Sequence, residues 1–335
     1  MDRNEPEISV IVTAYLRKEY IMECVDSVLN QDLPKEKYEV LVVKNFVDSA
    51  IDGGLRTKGV TVIQSSRKEL GDKIIEAFAQ SRGKIIAFLE DDDWFAKEKL
   101  AWLHKTFHAD TSLSYVHNSQ IYVDEDGMKL QNFFSIPQKR SLYCGRDGMM
   151  HGTMRKIMGD KRIGHNMSSW AVIRSELDRV IHHFRGVIYT LDALILLEAL
   201  KGEGSALFSS KQMTYYRRHA SANSMSHDTI EVSKVSETLL DRTISEYSGL
   251  SNIFRNCKAY PFLKSTEEYL RLRRDVVQLH DIGSRNLVQF LHSSFKYATF
   301  RYWEYAVIFL ILFLYKISKN MGRSLYLKVS YLTTG

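Results

Sequence analysis

The sequence predicts an α/β fold in which a mainly parallel sheet is flanked by helices. Two observations predict it. Four apolar, β-branched runs (ISVIVTAY, YEVLVV, GVTVIQ and KIIAFL) recur within the first ninety residues. ISVIVTAY is continuous where a half-exposed strand would alternate, as expected of a strand buried on both faces, and KIIAFL likewise reads as a buried strand. Helical spacing fills the intervals between them, which implies right-handed crossovers and parallel neighbours.

Taken in order, ISVIVTAY (8–15) is the first strand, and Ile21, Val25, Val28 and Leu29 then recur at helical spacing. YEVLVV (38–43) and GVTVIQ (59–64) are the second and third strands. Gly71 opens a helix over 72–81 that Gly83 closes, and KIIAFL (84–89) is the fourth strand, running directly into Glu90-Asp91-Asp92-Asp93. Beyond it LAWLHKTF reads as a helix and SYVHNSQIYVD as a strand, while 126–165 reads as a long loop. SSWAVIR (168–174) and the stretch around MTYYRRH (213–219) read as further strands, and 229–280 carries charged helical patterns.

Composition is globular, with 44% hydrophobic and 26% charged residues in 335. That length allows one domain of roughly 200 residues and a smaller appendage. Of the net charge of +6, residues 255–335 carry more than all, with thirteen Lys and Arg against five Asp and Glu. The tail is therefore expected to meet a polyanionic surface. Its bases interleave with an apolar run, which favours the anionic face of a membrane over nucleic acid. That run, Tyr305 to Tyr315, is eleven residues long. It would rise about 16 Å as a helix, too short for a hydrocarbon core of about 30 Å. Flanking aromatics (Phe295, Tyr297, Phe300, Tyr302, Trp303) and bases (Lys296, Arg301, Lys316, Lys319, Arg323) suit an interfacial segment. A buried core helix or a homodimer helix is the other reading. Cys24, Cys144 and Cys257 are odd in number and form no C-x-x-C pair. They point to a reducing compartment without a zinc or disulfide framework. MDRNEPEISV has no apolar stretch behind a basic start, so the expected location is cytoplasmic, at the inner face of a membrane.

The chemistry concentrates at Glu90–Asp93. Four consecutive acids after a buried strand repel one another unless a cation or a proton compensates. Their hard oxygens suit Mg²⁺ or Mn²⁺, ions that complete their shells with phosphate oxygens. The carboxyl end of a parallel strand is also where ligands of such sheets bind.

ISVIVTAY, SVLNQ, EVLVV, GKIIAFLEDDDWF and YYRRHASANS, in this order and spacing, resemble a family 2 glycosyltransferase with the GT-A fold over roughly residues 7–225. The resemblance implies a nucleotide-sugar donor, a divalent metal and an acceptor hydroxyl on a glycan or lipid-linked molecule. It implies a catalytic domain at 1–225 (donor half about 1–95, acceptor half about 96–225), while the charged helical patterns and the basic apolar tail mark a helical extension at 226–285 and a membrane-associated tail at 286–335. Asp92 falls on the family's metal position, with Glu90 and Asp91 beside it, and Glu90 stands where the family has Asp. A register using Asp91 and Asp93 remains open. Thr13, Ala14 and Tyr15 match the strand end that lies against the nucleotide base. Where the family has an Asp pair after the second strand, this chain has Lys44 and Asn45, and Asp48 is the nearest acid. Gly71, Asp72 and Lys73 sit where the family approaches the nucleotide. In YTLDALILLEAL, Asp192 matches the catalytic base, with Thr190 as a helix N-cap, Leu191 replacing the usual first acid and Glu198 a weaker candidate. In YYRRH, His219 matches a metal or diphosphate ligand, and Arg217 or Arg218 a partner of the leaving diphosphate. His165 is placed on the acceptor side. The implied reaction is a single displacement with inversion. An inactive scaffold of the same fold is one alternative, and a nucleotidyltransferase is another. The latter usually needs a Gly-rich basic loop, which Val12–Glu23 does not show.

Overall fold

Strand β1 (Ile8–Ala14) lies between two parallel neighbours, β2 (Tyr38–Lys44) and β4 (Ile85–Glu90), and all seven of its residues are buried. Burial on both faces is why this run is continuously apolar. The computed structural model describes residues 5–130, 140–144, 157, 163–201, 204–218, 229–278, 288, 291–292 and 302–334. By internal contacts the chain forms two units, Met1–Thr153 with Lys161–Arg218, and Met154–Asp160 with His219–Gly335.

Among the described residues the sheet of the first unit has nine strands, in the order β3-β2-β1-β4-β8-β6-β9-β5, with β7 beside β9. β3 (Thr61–Gln64), β2, β1 and β4 are parallel. β8 (Trp170–Ile173) is antiparallel to both β4 and β6 (Leu113–Val123). β9 (Ser205–Arg217) runs parallel to β6. Two short strands lie outside the sequence expectation. β5 (Trp94–Phe95) pairs with β9 directly after the acidic turn, and β7 (Leu142–Cys144) pairs with β9 inside the stretch expected to be loop.

Helices α1 (Ile21–Leu29), α2 (Ser49–Thr57), α3 (Leu70–Gln80) and α4 (Lys99–Ala109) cover the parallel strands. Ile21, Cys24, Val25 and Val28 of α1 are buried at i, i+3, i+4 and i+7 and share a core with Val10, Val12, Val40, Val42 and Leu103. The third strand begins at Thr61, not Gly59, because Gly59 (φ 80°) belongs to the end of α2: Gly59 N donates to Arg56 O and Val60 N to Leu55 O. Gly71 has a packing reason, since a Cβ there would lie 1.8 Å from the Phe184 carbonyl oxygen. Gln31, the last residue of SVLNQ, donates to Ala96 O and accepts from Leu100 N, fastening the end of α1 to the segment after the acidic turn. Further along, α5 (Arg174–Val180) follows β8 and α6 (Leu191–Lys201) precedes β9.

The second unit contains α7 (Thr229–Ile253), α8 (Tyr260–Val277), α9 (Tyr302–Ile317) and α10 (Lys319–Thr334). Its core gathers Leu240, Ile244, Leu270, Val276, Ile308, Ile311, Leu312, Tyr315 and Tyr326. The apolar run thus belongs to a helix of 16 residues. Among the described residues, no helix is long and apolar enough to cross a membrane.

Candidate active site

The acidic turn hangs on the carboxyl end of β4. Glu90 pairs with Thr13 across the sheet, Asp91 N donates to Thr13 O at 3.1 Å, and Asp93 N donates to Glu90 O at 3.1 Å. The four acids differ in environment. Asp93 is buried and receives three hydrogen bonds, from Asn166 Nδ2 (2.9 Å), Ser168 Oγ (2.6 Å) and Arg217 N (3.0 Å). Asn166 holds this geometry in the left-handed region (φ 72°), and its Oδ1 accepts from Ser168 N. Ser168 Oγ also accepts from Glu90 N, and the buried Lys99 Nζ donates to Ser168 O and Thr214 Oγ1. Burial and the charge of Asp92 raise the Asp93 carboxyl to about 7 against these bonds. Both oxygens of Asp93 are engaged inside the protein. The Asp92 side chain keeps 14% of its surface exposed.

One cation sits on the turn. Arg17 Nη2 lies 2.8 Å from Asp91 Oδ1, and Nη1 lies 2.8 Å from Asp92 Oδ2. Arg17 is aimed there by a tight turn at the end of β1, in which its N–H donates to Tyr15 O across Leu16 at φ 59°. Burial, then Asp92, raise the Asp91 carboxyl to about 6, with Arg17 opposing. Asp91 Oδ2 is buried without a hydrogen-bond partner. Below the turn, Lys73 Nζ donates to Ala14 O at 3.1 Å and lies 4.9 Å from the Tyr15 ring centre. Burial lowers its amine to about 8, while Asp91 and Glu90 pull the other way. Thr13 and Ala14 are buried, but Tyr15 is 44% exposed and presents an aromatic face.

Asp192 stands in the first turn of α6, where Thr190 O accepts the first helical bond from Leu194 N, as an N-cap carbonyl does. Its Oδ1 accepts from Ala193 N, and its Oδ2 lies 3.7 Å from His165 Nδ1. His165 packs edge-on against Tyr216 with ring centres 5.8 Å apart. Glu90 belongs to the same group: burial and then Asp92, Asp93, Asp91 and Asp192 push its carboxyl well above the usual range. Residues 165, 192 and 216, far apart in the chain, therefore come together around Glu90.

Other expected residues take different positions. Asp48 caps α2, accepting from Ala50 N and Ile51 N, and its Oδ2 lies 2.9 Å from Lys18 Nζ. Lys44 is wholly buried, with Nζ 2.8 Å from Asp52 Oδ1 and donating to Phe46 O and Gln64 Oε1. Asn45 Oδ1 accepts from Leu16 N and braces the turn that carries Arg17. Arg217 engages each side-chain nitrogen within the protein: Nε with Asp92 O, Nη1 with Glu125 O and Nη2 with Glu23. Its guanidinium carbon also lies over the Tyr20 and Trp94 rings at 4.2 and 4.6 Å. Arg217 thus fastens the acidic turn from behind. Glu198 is buried near Lys201. His219 lies outside the described residues.

Sequence reasoning does not find Arg17, Asn166, Ser168 or Lys99. Arg17 had a signal, the first of two bases, Arg17 and Lys18, that follow ISVIVTAY closely. The other three bear on the turn through partners 69 to 115 residues away, and no spacing rule reaches that far.

The model of glycosyl transferase family 2 matches residues 9–181, about half of the chain. The chain belongs to glycosyl transferase family 2. The poly(ribitol-phosphate) beta-glucosyltransferase of Bacillus spizizenii (strain ATCC 23059 / NRRL B-14472 / W23) is 31% identical over 101 residues, which is 28% of this chain and 16% of that one. The putative glycosyltransferase EpsH of Bacillus subtilis (strain 168) is 20% identical over 302 residues, covering 86% of this chain and 82% of that one. The crystal structure of S. aureus TarS 1–349 in complex with UDP-GlcNAc superposes with a TM-score of 0.54 at 16% identity, covering 98% of this chain and 92% of that one. At that identity the likeness establishes the GT-A fold. Matches to the first curated relatives span a fifth or less of their lengths.

Proposed function

We propose that this family 2 glycosyltransferase moves a sugar from a nucleotide-diphosphate donor to an acceptor hydroxyl on a glycan, polysaccharide or lipid-linked molecule, with inversion. The observation that carries the reading is the turn at the end of β4. There Asp92 presents a partly exposed carboxylate beside Arg17, and Asp192 lies close enough to raise Glu90.

Carboxylate oxygens crowded at one strand end, one of them buried and unpaired on Asp91, fit a hard divalent cation. When Mg²⁺ or Mn²⁺ is bound, with Asp92 and, by resemblance, His219 as ligands, it supplies positive charge for the departing diphosphate. Arg17 holds those carboxylate oxygens when no ion is bound and meets the diphosphate once the ion has displaced it. Lys73 offsets Asp91 and Glu90 from below, and the Tyr15 face offers the base a stacking surface. On the acceptor side, Asp192 Oδ2 takes the proton of the attacking hydroxyl while His165 orients it. By resemblance, Glu90 stands where the family's first acid contacts the ribose or the metal.

The test is turnover of UDP-, GDP- and dTDP-sugars by the purified chain with and without Mn²⁺, with product configuration read by NMR. UDP-GlcNAc comes first because the TarS structure holds it. Transfer with inversion that Asp92→Ala abolishes is the expected result. Donor binding without turnover would favour a second reading, an inactive scaffold. That reading is motivated by the buried Lys44 where the family has an acid.

For the second unit the proposal is a location at the cytoplasmic face of a membrane. Phe309, Phe313 and Ile317 form an exposed stripe on α9, at 42%, 64% and 63% exposure, with Leu310 beside it. Exposed Lys316 and Lys319 flank the stripe. An apolar face edged by lysines suits the headgroup region of an anionic bilayer.

A further inference from the structure

Glu7, His104 and His108 bring three ligand atoms within 4.8 Å of one another on the first unit. His104 and His108 are one helical turn apart on α4, a spacing that presents both rings on one face. His104 Nε2 lies 2.8 Å and His108 Nε2 3.1 Å from the same atom, Glu7 Oε2. The two rings are stacked 4.2 Å apart.

Three features distinguish this arrangement from a chance surface cluster. His108 Nδ1 lies 2.8 Å from His104 O and donates its proton there, which leaves Nε2 with a lone pair. That second-nitrogen bond to a carbonyl is the usual orienting contact of a metal-bound histidine. His104 Nε2 is buried and makes no hydrogen bond despite its closeness to the carboxylate. Lone pairs facing an anionic oxygen repel unless a proton or a metal ion lies between them. Finally, ligand atoms around tetrahedral Zn²⁺ stand about 3.3 Å apart, given bonds of about 2.0 Å, so small rotations convert the present spacing into a coordination triangle. Lys37 Nζ pairs with the other oxygen, Glu7 Oε1, and leaves Oε2 to the histidines.

We propose that Glu7, His104 and His108 form a site for Zn²⁺ or a similar borderline transition metal, with water as the fourth ligand. The site is separate from the acidic turn. Glu7 O accepts from Ile85 N at the start of β4, and Glu90 is at its end. Strand rise puts about 17 Å between these ends. Its donor set also differs, since imidazole nitrogen selects zinc-class ions whereas the all-carboxylate turn selects Mg²⁺ or Mn²⁺. An ion here would clamp the carboxyl half of α4 to the lead-in of β1, a structural role that stands apart from sugar transfer.

The test uses the full chain stripped with chelator and titrated with Co²⁺, followed by visible absorption, and then with Zn²⁺ in competition. One equivalent of Co²⁺ should give tetrahedral bands that Zn²⁺ removes, and Zn²⁺ should raise the melting temperature. His104→Gln and His108→Gln should each weaken binding by about tenfold or more and cancel the melting shift. Both variants should keep transferase activity, and Asp92→Ala should keep the Zn²⁺ response. His108 is well exposed, so its substitution tests binding without threatening the fold. Absence of tetrahedral bands, or Zn²⁺ affinity unchanged in both histidine variants, would overturn the site whatever the outcome for sugar transfer.

Discussion

Arg17 Nη1 and Asp92 Oδ2 lie 2.8 Å apart, and the same guanidinium reaches Asp91 Oδ1 through Nη2 at the same distance. Two neighbouring carboxylates are thus bridged by one side chain, and a divalent ion entering the turn competes with Arg17 for those oxygens. Arg17→Ala should therefore tighten Mn²⁺ binding in the absence of donor by about fivefold, the worth of a partly exposed ion pair. It should also raise the donor KM. Asp92→Ala should abolish transfer at an unchanged melting temperature. Isothermal titration with Mn²⁺ and steady-state kinetics check both, and weaker Mn²⁺ binding in Arg17→Ala would contradict the competition.

In the proposed reaction Asp192 takes the proton of the acceptor hydroxyl. Asp192→Asn keeps the shape and the bond from Ala193 N but cannot take a proton. The expected loss in kcat is about 10²- to 10⁴-fold, with donor KM nearly unchanged. A variant that keeps its kcat would remove Asp192 from the role of base.

Asp93 and Asn166 are expected to act on stability. Asn166→Gly accepts the positive φ but deletes the bonds to Asp93 Oδ2 and from Ser168 N. It should cost about 1–3 kcal/mol, measured by urea unfolding. Asn166→Ala should cost about 1 kcal/mol more from backbone strain. Equal stability of the two variants would show that the left-handed conformation carries no strain.

His117 gives a pH signature. It is buried beside Trp170 and Phe208, its Nε2 lies 3.0 Å from His165 O, and burial lowers its ring to about 4. Below the ordinary histidine range the unfolded chain takes up a proton that the folded chain refuses until about pH 4. Stability should therefore fall on acidification between about pH 6.5 and 4, by about 3 kcal/mol from this group. Asp91 and Asp93, raised to about 6 and about 7, act in the opposite sense over the same interval. The readout is therefore the difference between wild type and His117→Phe, measured by unfolding at several pH values. A difference that stays constant with pH would refute the assignment.

The exposed stripe of α9 predicts binding to vesicles. Full-length chain should float with anionic liposomes, and Phe313→Glu with Ile317→Glu should abolish flotation while leaving transfer to a soluble acceptor unchanged. Unaltered flotation in the double variant would exclude the stripe, and a concentration-dependent dimer broken by the same changes would assign it to a second copy.

Local pattern made the parallel half of the sheet legible. ISVIVTAY, YEVLVV and KIIAFL are continuous because both faces of β1, β2 and β4 are covered, and a strand so buried leaves few alternatives. β5 and β7 were not legible, because two or three residues carry no period and their pairing with β9 depends on a strand more than sixty residues away.

The sequence by itself determined the fold class, the family resemblance and the place of the acidic run at the end of a central strand, since each depends on contiguous residues. Tertiary structure alone decided what the four acids do. Glu90, Asp91, Asp92 and Asp93 are nearly alike as letters. They become a raised carboxyl beside Asp192, an Arg17 partner, a partly exposed candidate ligand and a buried anchor only when Arg17, Asn166, Ser168 and Arg217 arrive from other parts of the chain. A carboxylate's role is set by its desolvation and its partners, and both are properties of the folded neighbourhood.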